Sequence, residues 1–540
     1  MPLVAGVQPY SGAASPAALG SAHRRKSGAA CSAETGPVVR QKVGGPFPTS
    51  WLSQASGEGE GSTREARAGV GGAGRAARVP SVRPWPAKLG GGYFCLVYDA
   101  LVIGGGVSGL YAAYLLQQAG LSVEVLEARD RLGGRLHTVY TPDGQPVDLG
   151  GQWVGPQHMR VLRWVEAHRI PLHRTHTAGK NLLILPGGKV RFYTGTIPRL
   201  PVGALLDLGW GLERFKRMAK RVSATHPWHL TRPAWDEETL AAWMRRALRS
   251  ELARQTFSVG LATVLGCEPE EVSLWHALFY VRSAGGLEAL IETEGGAQER
   301  KFTQGAASLV ASIAEKVPYR LSAPVRRVEW GPAGVHVWVA SGEKLTARSL
   351  IVAIPPALQL AIEWDPPLPP SYAQLAQRMP MGSVTKVVAV YDRPYWREKG
   401  LSGHVLRLEG ALRITFDTSP PDGSYGQITG FAVGHLARSL LSLPADERLA
   451  FFRQEVDKLF GVPSRWLYQK TWADEPYSGG CYVGFFGPGG WRYVGRALRE
   501  PLPPLYWSGT ERAHTWMGYI EGAFAAAEAA VRSLDVHVSP

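Results

Sequence analysis

Tyr98-Asp-Ala-Leu-Val-Ile-Gly-Gly-Gly-Val-Ser-Gly109, with its continuation as far as Glu127, decides the reading of this chain. The apolar run up to Ile103 predicts a short buried strand. Gly104, Gly106 and Gly109 then stand in Gly-x-Gly-x-x-Gly order. Leu110 to Ala119 carries apolar residues at helical spacing and stops at Gly120. Ser122-Val-Glu-Val-Leu126 predicts a second strand that ends at the acid Glu127. Strand, glycine turn, helix, strand and acid in that order form a dinucleotide-binding unit. Gly104 permits the tight turn, Gly106 lets the backbone approach a pyrophosphate, and Gly109 lets the helix pack close to the strand. The open N–H groups of the helix N-terminus face phosphate oxygens. Glu127 is placed to accept hydrogen bonds from an adenosine ribose.

Ala128-Arg-Asp-Arg-Leu-Gly-Gly-Arg135 continues without a break. A second glycine pair followed by an arginine suits a second backbone pass over the pyrophosphate. Asp148-Leu-Gly-Gly-Gln-Trp153 adds a third small-residue patch, in which Gly151, Gln152 and Trp153 are expected contacts. Several glycine pairs around one dinucleotide point to FAD rather than NAD. Far along the chain, Tyr477-Ser-Gly-Gly-Cys-Tyr482 sets one cysteine beside an aromatic after two residues with no side chain. Backbone of that kind can lie flat against a ligand. A buried free cysteine in a Gly-rich loop is the alternative reading of Cys481.

These segments, with Gln298-Glu-Arg-Lys-Phe302, Pro380-Met-Gly-Ser-Val-Thr-Lys386, Gly509-Thr-Glu511 and Gly518-Tyr-Ile-Glu-Gly522, carry a family resemblance. From about residue 98 to about 534 the chain resembles the flavin-containing monoamine oxidases of the FAD-dependent amine oxidase family. The resemblance implies an α/β fold, with a Rossmann-type FAD-binding domain and an α+β substrate domain. It implies that Cys481 bonds covalently to the flavin. It sets Tyr482 and Tyr519 on either side of the substrate amine, and gives Lys386 a water near flavin N5. Ser108, Glu127, Arg135, Val325, Gly509 and Glu511 become FAD contacts, and Trp472 packs near the isoalloxazine. Ile291, Gln298 and Phe431 line the substrate cavity. Ile414 and Phe416 stand where the mitochondrial isoenzymes place residues that set substrate preference.

The implied reaction is FAD-dependent oxidation of an amine to an imine and then an aldehyde. O2 is the acceptor, and H2O2 and ammonia or amine are released. An L-amino-acid oxidase or a desaturase of the same fold is the enzymatic alternative, and a flavin-binding protein without turnover the non-enzymatic one. An amino-acid oxidase needs an arginine for the substrate carboxylate, and none is assigned. Elementary chemistry supports an aromatic slot. Two ring faces orient an amine, and an apolar surround favours the neutral form that oxidation requires. Lys386 lies in an otherwise apolar stretch, Val384 to Tyr391, where a lysine ordinarily faces solvent. Glu292 and Glu294 read either as a solvated loop or as attraction for the second cation of a diamine.

The net charge of +14 is not a nucleic-acid face. Residues 1–97 hold 11 Lys/Arg against 4 Asp/Glu, which leaves +7 spread over the other 443 residues. The four cysteines, Cys31, Cys95, Cys267 and Cys481, show neither a disulfide framework nor metal-ligand spacing. No apolar run reaches membrane-spanning length, and the chain stops at Pro540 without a hydrophobic anchor. A soluble cytoplasmic enzyme is therefore expected, with a small amine and O2 as partners and a homodimer left open. Residues 1–96 read as a disordered leader rich in Gly, Ala, Ser, Pro and Arg, and its length favours a translation start close to Val97, which leaves it outside the mature fold. An organelle lumen is the alternative location if that leader is a transit peptide. The FAD-binding domain is expected over 98–172, 303–375 and 475–535, and the substrate domain over 173–302 and 376–474.

Overall fold

In the computed structural model, which describes residues 97–535, the glycine fingerprint sits between two parallel strands. β1 (Val97–Ile103) leads into α1 (Val107–Gln118), and β2 (Val123–Leu126) returns beside β1. Ala100 pairs with Val123 and Ile103 with Leu126. The core residues of β1, Ala100 to Val102, are fully buried on both faces, as a central parallel strand requires. α1 covers one face through Leu110, Ala113 and Leu116, and the last helix, Ile520–Arg532, packs there through Phe524 and Ala527. The leader expected over residues 1–96 lies outside the described residues.

β1 is central to an eight-stranded sheet. Its other parallel neighbour is Lys344–Val352, which also pairs in parallel with Leu505–Trp507. Gly334–Val339 and Val325–Gly331 extend the sheet as an antiparallel pair. Thus segments far apart in sequence meet at the C-terminal ends of β1 and β2, the usual ligand edge of an open parallel sheet.

A second sheet of seven strands is mostly antiparallel. Its order runs Trp466–Thr471, Val384–Tyr391, Gly426–Val433, Ile414–Asp417, Leu401–Arg407, Lys180–Ile184 and Val190–Tyr193. The expected strand of Val384 to Tyr391 is present, but its burial corrects the ordinary expectation for a lysine there. All eight residues are buried, Lys386 included, because the strand has a neighbour on each side and both of its faces are covered.

The expected helices around Leu240 and Leu274 form as Leu240–Ala247 and Leu274–Ser283. Each is started by a side-chain cap: Thr239 Oγ1 accepts from the Ala242 N–H and Ser273 Oγ from the His276 N–H. With Val202–Ala219 and Glu251–Leu265 they cover one side of a chamber between the two sheets. Among the described residues no helix is long and apolar enough to cross a membrane.

Candidate active site

The glycine fingerprint builds a cradle whose tolerances can be read atom by atom. Gly104 has φ of +105° and lies against the Ala353 carbonyl. A Cβ on Gly109 would stand 2.0 Å from the Gly104 oxygen, so only glycine lets α1 start there. The second glycine pair docks on the first: the Gly133 N–H donates to the Gly105 oxygen at 2.9 Å. No side chain caps the start of α1, which leaves its N-terminal backbone facing the groove. Glu127 closes the far end. Its Oε2 accepts from the Gly105 N–H at 2.6 Å and its Oε1 from the Arg129 N–H at 3.0 Å.

From this groove one continuous cavity of about 790 Å³ runs into the chamber between the two sheets. Most of the expected site residues line it. On the groove side these are Gly104, Gly106, Ser108, Glu127, Arg135, Gly151, Gln152 and Gly509. In the chamber they are Trp153, Ile291, Gln298, Lys386, Ile414, Phe416, Phe431, Trp472, Cys481, Tyr482 and Tyr519. Four do not line it. Gly109 acts by close packing, and Ala128 lies between two residues that do face the groove. The Val325 side chain is in the core. Its segment sits beside Glu127, whose carbonyl accepts from the Ala323 N–H at 2.8 Å. Glu511 is buried behind the wall.

Glu511 and Arg135 fasten the groove to the cysteine segment. Arg135 Nη1 and Nη2 donate to Glu511 Oε1 and Oε2 at 2.5 and 3.0 Å, and Nη1 also donates to the Tyr482 carbonyl at 2.8 Å. Burial alone would raise the Glu511 pKa, but the charge and hydrogen bonds of Arg135 hold it below the usual value. Ser108 plays a similar part. Its Oγ donates to the Ala523 carbonyl at 2.9 Å and accepts from the Gly509 N–H at 2.9 Å, tying α1 to the last helix.

The cysteine segment is seated on the Pro380 motif. The Cys481 N–H donates to the Gly382 oxygen at 2.9 Å, and a Cβ on Gly480 would meet that oxygen at 2.3 Å. Only glycines let the two backbones lie this close. The Cys481 thiol is free and 5 % exposed. Burial pushes its pKa up to about 12, against the pull of Arg135 and Lys386, so it is a neutral thiol.

Lys386 Nζ donates to the Gly150 carbonyl and to Gln152 Oε1, both at 2.8 Å. Burial pulls its pKa down to about 7, opposed by Asp148 and assisted by Lys301. The group therefore titrates near neutrality and can exist without charge. Trp472, almost fully buried, donates Nε1 to the Leu149 carbonyl at 2.9 Å beneath the same patch.

Aromatic rings wall the chamber. Trp153 packs edge-on to Phe416 at 5.2 Å, and Phe431 edge-on to Tyr482 at 5.9 Å. Tyr519 is braced by Trp516 at 5.2 Å and tilted against Tyr280 at 6.4 Å. Burial raises the pKa of both Tyr482 and Tyr519, so both hydroxyls stay neutral. Gln298 holds the Leu290 carbonyl through Nε2 while its buried Oε1 has no partner. The sequence reading missed one wall, made by Thr256, Phe257, Gly260, Leu261 and Val264 of one helix. Their three-to-four spacing was a usable signal. It also missed His404, a half-buried histidine on the cavity wall whose pKa desolvation lowers to about 4. Glu292 and Glu294 line the cavity too.

The residues fit a dinucleotide carrying a flat redox ring. The glycine cradle accepts close backbone approach, and buried Gln152 Nε2 and Trp153 Nε1 are donors without partners at the chamber end. A glycine-lined groove opening into an aromatic chamber defines a class: oxidoreductases that hold a dinucleotide cofactor against a small organic substrate. Comparison with known proteins narrows the class. The family model for flavin containing amine oxidoreductase matches residues 107–534. The chain is 38 % identical over 431 residues to AofH of Mycobacterium tuberculosis, whose name assigns it provisionally as a flavin-containing monoamine oxidase. That match covers 79 % of this chain and 94 % of the relative. It is 36 % identical over 448 residues to the flavin-containing amine oxidase B of Sus scrofa, covering 81 % and 86 %. Among solved structures, putrescine oxidase bound to putrescine superposes with a TM-score of 0.78 at 27 % identity, covering 82 % of this chain and 100 % of that one. The chain belongs to the flavin-containing amine oxidoreductase family.

Proposed function

We propose that the chain oxidises a small primary or secondary amine in this chamber and passes the electrons to O2. Overall, an amine R–CH2–NH2, O2 and water become an aldehyde, ammonia and H2O2. The observation that carries this reading is the convergence of Lys386, Cys481, Tyr482 and Tyr519 where the dinucleotide groove meets the aromatic chamber. FAD, when bound, supplies the two-electron acceptor. The chain's own residues do the rest. Tyr482 and Tyr519, both neutral, offer ring faces to the amine nitrogen and its carbon. The apolar walls of Trp153, Phe416 and Phe431 exclude water and favour the uncharged amine. Gln298 Oε1 offers an acceptor for an amine N–H. Lys386 can hold or release a proton at Nζ beside Gln152. The last helix directs its N-terminus, next to Tyr519, toward the same junction and favours negative charge there.

Cys481 is the proposed point of covalent flavin attachment. Its support is position: a lone buried thiol held by Gly382 at the groove's end. The division into a FAD-binding domain (98–172, 303–375, 475–535) and a substrate domain (173–302, 376–474) follows the two large sheets. An amino-acid substrate is disfavoured, because both arginines lining the cavity are committed: Arg129 to Glu127 and Glu475, and Arg135 to Glu511. A peroxide-coupled assay with benzylamine, tyramine, tryptamine, putrescine and L-amino acids tests the proposal. Turnover of amines is expected, and turnover confined to amino acids would reject it.

A further inference from the structure

The helix Val202–Ala219 walls the chamber with one side and leaves the other side bare. Leu208 and Leu212 line the cavity, and Ala204, Phe215 and Met218 are buried with them. On the opposite side Val202, Leu206 and Trp210 stand four residues apart in one row, each between 61 and 74 % exposed. Ile197, in the loop that leads into the helix, is 68 % exposed and also lines the cavity, which places the row beside the cavity mouth. Eleven large apolar side chains are exposed among the described residues, and five of them fall between Phe192 and Trp210. Scattered singly such side chains need no explanation, but a cluster of them marks a contact surface.

The same face turns basic in its second half. Arg214 and Arg217 continue the row at helical spacing, and Lys220 and Arg221 follow past the helix end, all four exposed. Among the described residues none of the four forms an ion pair. The two acids of the segment are occupied: Asp207 Oδ2 accepts from the Ser250 N–H at 2.6 Å, and Glu213 pairs with Lys216. Residues 189–221 hold eight Lys/Arg against two Asp/Glu, so this segment alone carries +6 of the +7 found beyond residue 97. The charge outside the leader is thus concentrated beside the chamber mouth.

The chemistry of this face selects what covers it. A second copy docked there would set Arg214 and Arg217 either against their own equivalents or over the other copy's apolar row, and in neither register does it bring a free acid. A nucleic acid would satisfy the arginines but not a row of apolar side chains on a convex helix. An anionic lipid surface satisfies both. Aliphatic and indole side chains enter the boundary between headgroups and acyl chains, and arginines and lysines meet the phosphates beside them. We propose that the outer face of Val202–Ala219, with Ile197, docks the chain on an anionic phospholipid surface and turns the cavity mouth toward the lipid. The contact needs no spanning helix. Supply of an apolar amine from the lipid rests on the amine-oxidation reading, whereas the docking itself does not.

The flavin-loaded full chain is sedimented with vesicles of phosphatidylcholine alone or with about 30 % phosphatidylglycerol, at about 0.1 M salt. It should pellet with the anionic vesicles, only weakly with the neutral ones, and come off as salt is raised. Leu206→Ser combined with Trp210→Ser should abolish pelleting while flavin content and melting temperature stay at parental values. Arg214→Gln combined with Arg217→Gln should weaken binding by about 30-fold, about fivefold for each charge. A parent that stays in solution with anionic vesicles, or pellets equally with neutral ones, would overturn the proposal. So would undiminished pelleting of the Leu206 and Trp210 variant, which would assign the lipid affinity to the basic leader. A dimer in sedimentation velocity that the same variant dissolves would overturn it in favour of a second copy.

Discussion

Lys386→Met puts a number on the cost of burying this lysine. In the folded chain its pKa is about 7, against about 10.4 for an unfolded lysine. Between those values the unfolded state holds one more proton, so the parent gains stability as pH rises, by up to about 1.4 kcal/mol per unit. Below about pH 7 the lysine is charged in both states and the full penalty stands, at most about 5 kcal/mol from the shift alone. Methionine fills a similar volume without the charge. It also strands the Gly150 carbonyl and Gln152 Oε1, at about 1–3 kcal/mol for each acceptor left buried. The variant's stability relative to the parent should therefore be greatest near pH 6 and fall steadily toward pH 9.5, by up to about 1.4 kcal/mol per unit between pH 7 and 9.5. Paired thermal melts of both proteins across that range are the assay. Parallel pH curves would refute the buried, readily neutralised lysine. In stopped flow the same variant should slow the oxygen-dependent half-reaction more than the amine-dependent one.

Cys481→Ala should leave FAD bound reversibly if at all, whereas acid-precipitated parent should stay yellow and show a flavin adduct on the Cys481 peptide by mass spectrometry. Gly109→Ala would force a Cβ to within 2.0 Å of the Gly104 oxygen, so it should cost about 1–3 kcal/mol or more of unfolding free energy and lower the flavin content on purification. Glu511→Gln leaves the half-buried Arg135 guanidinium, on the cavity wall, without its carboxylate partner. It should destabilise by about 1.5–3 kcal/mol and release flavin, both readable by denaturant unfolding and absorbance.

The cofactor groove was legible because its logic is local. Strand, glycine turn, helix and acid occupy thirty consecutive residues, and each glycine has a steric reason that a pattern can anticipate. The burial of Lys386 was not legible from periodicity. An all-apolar strand with one lysine looks the same whether one or two faces are covered, and the second cover comes from residues far away in sequence. The docking of Cys481 on Gly382 shows the same limit: both segments announce close backbone approach, but neither says to what. The chamber wall from Thr256 to Val264 carried a helical stripe that reads equally as core.

The central claim is that amines are oxidised in this chamber at the expense of its flavin. Anaerobic addition of a substrate amine to the flavin-loaded protein, with visible absorbance as the readout, tests it most directly. The account predicts bleaching of the oxidised flavin bands, reversed when air is admitted. An oxidised spectrum that persists across a broad panel of amines would contradict it.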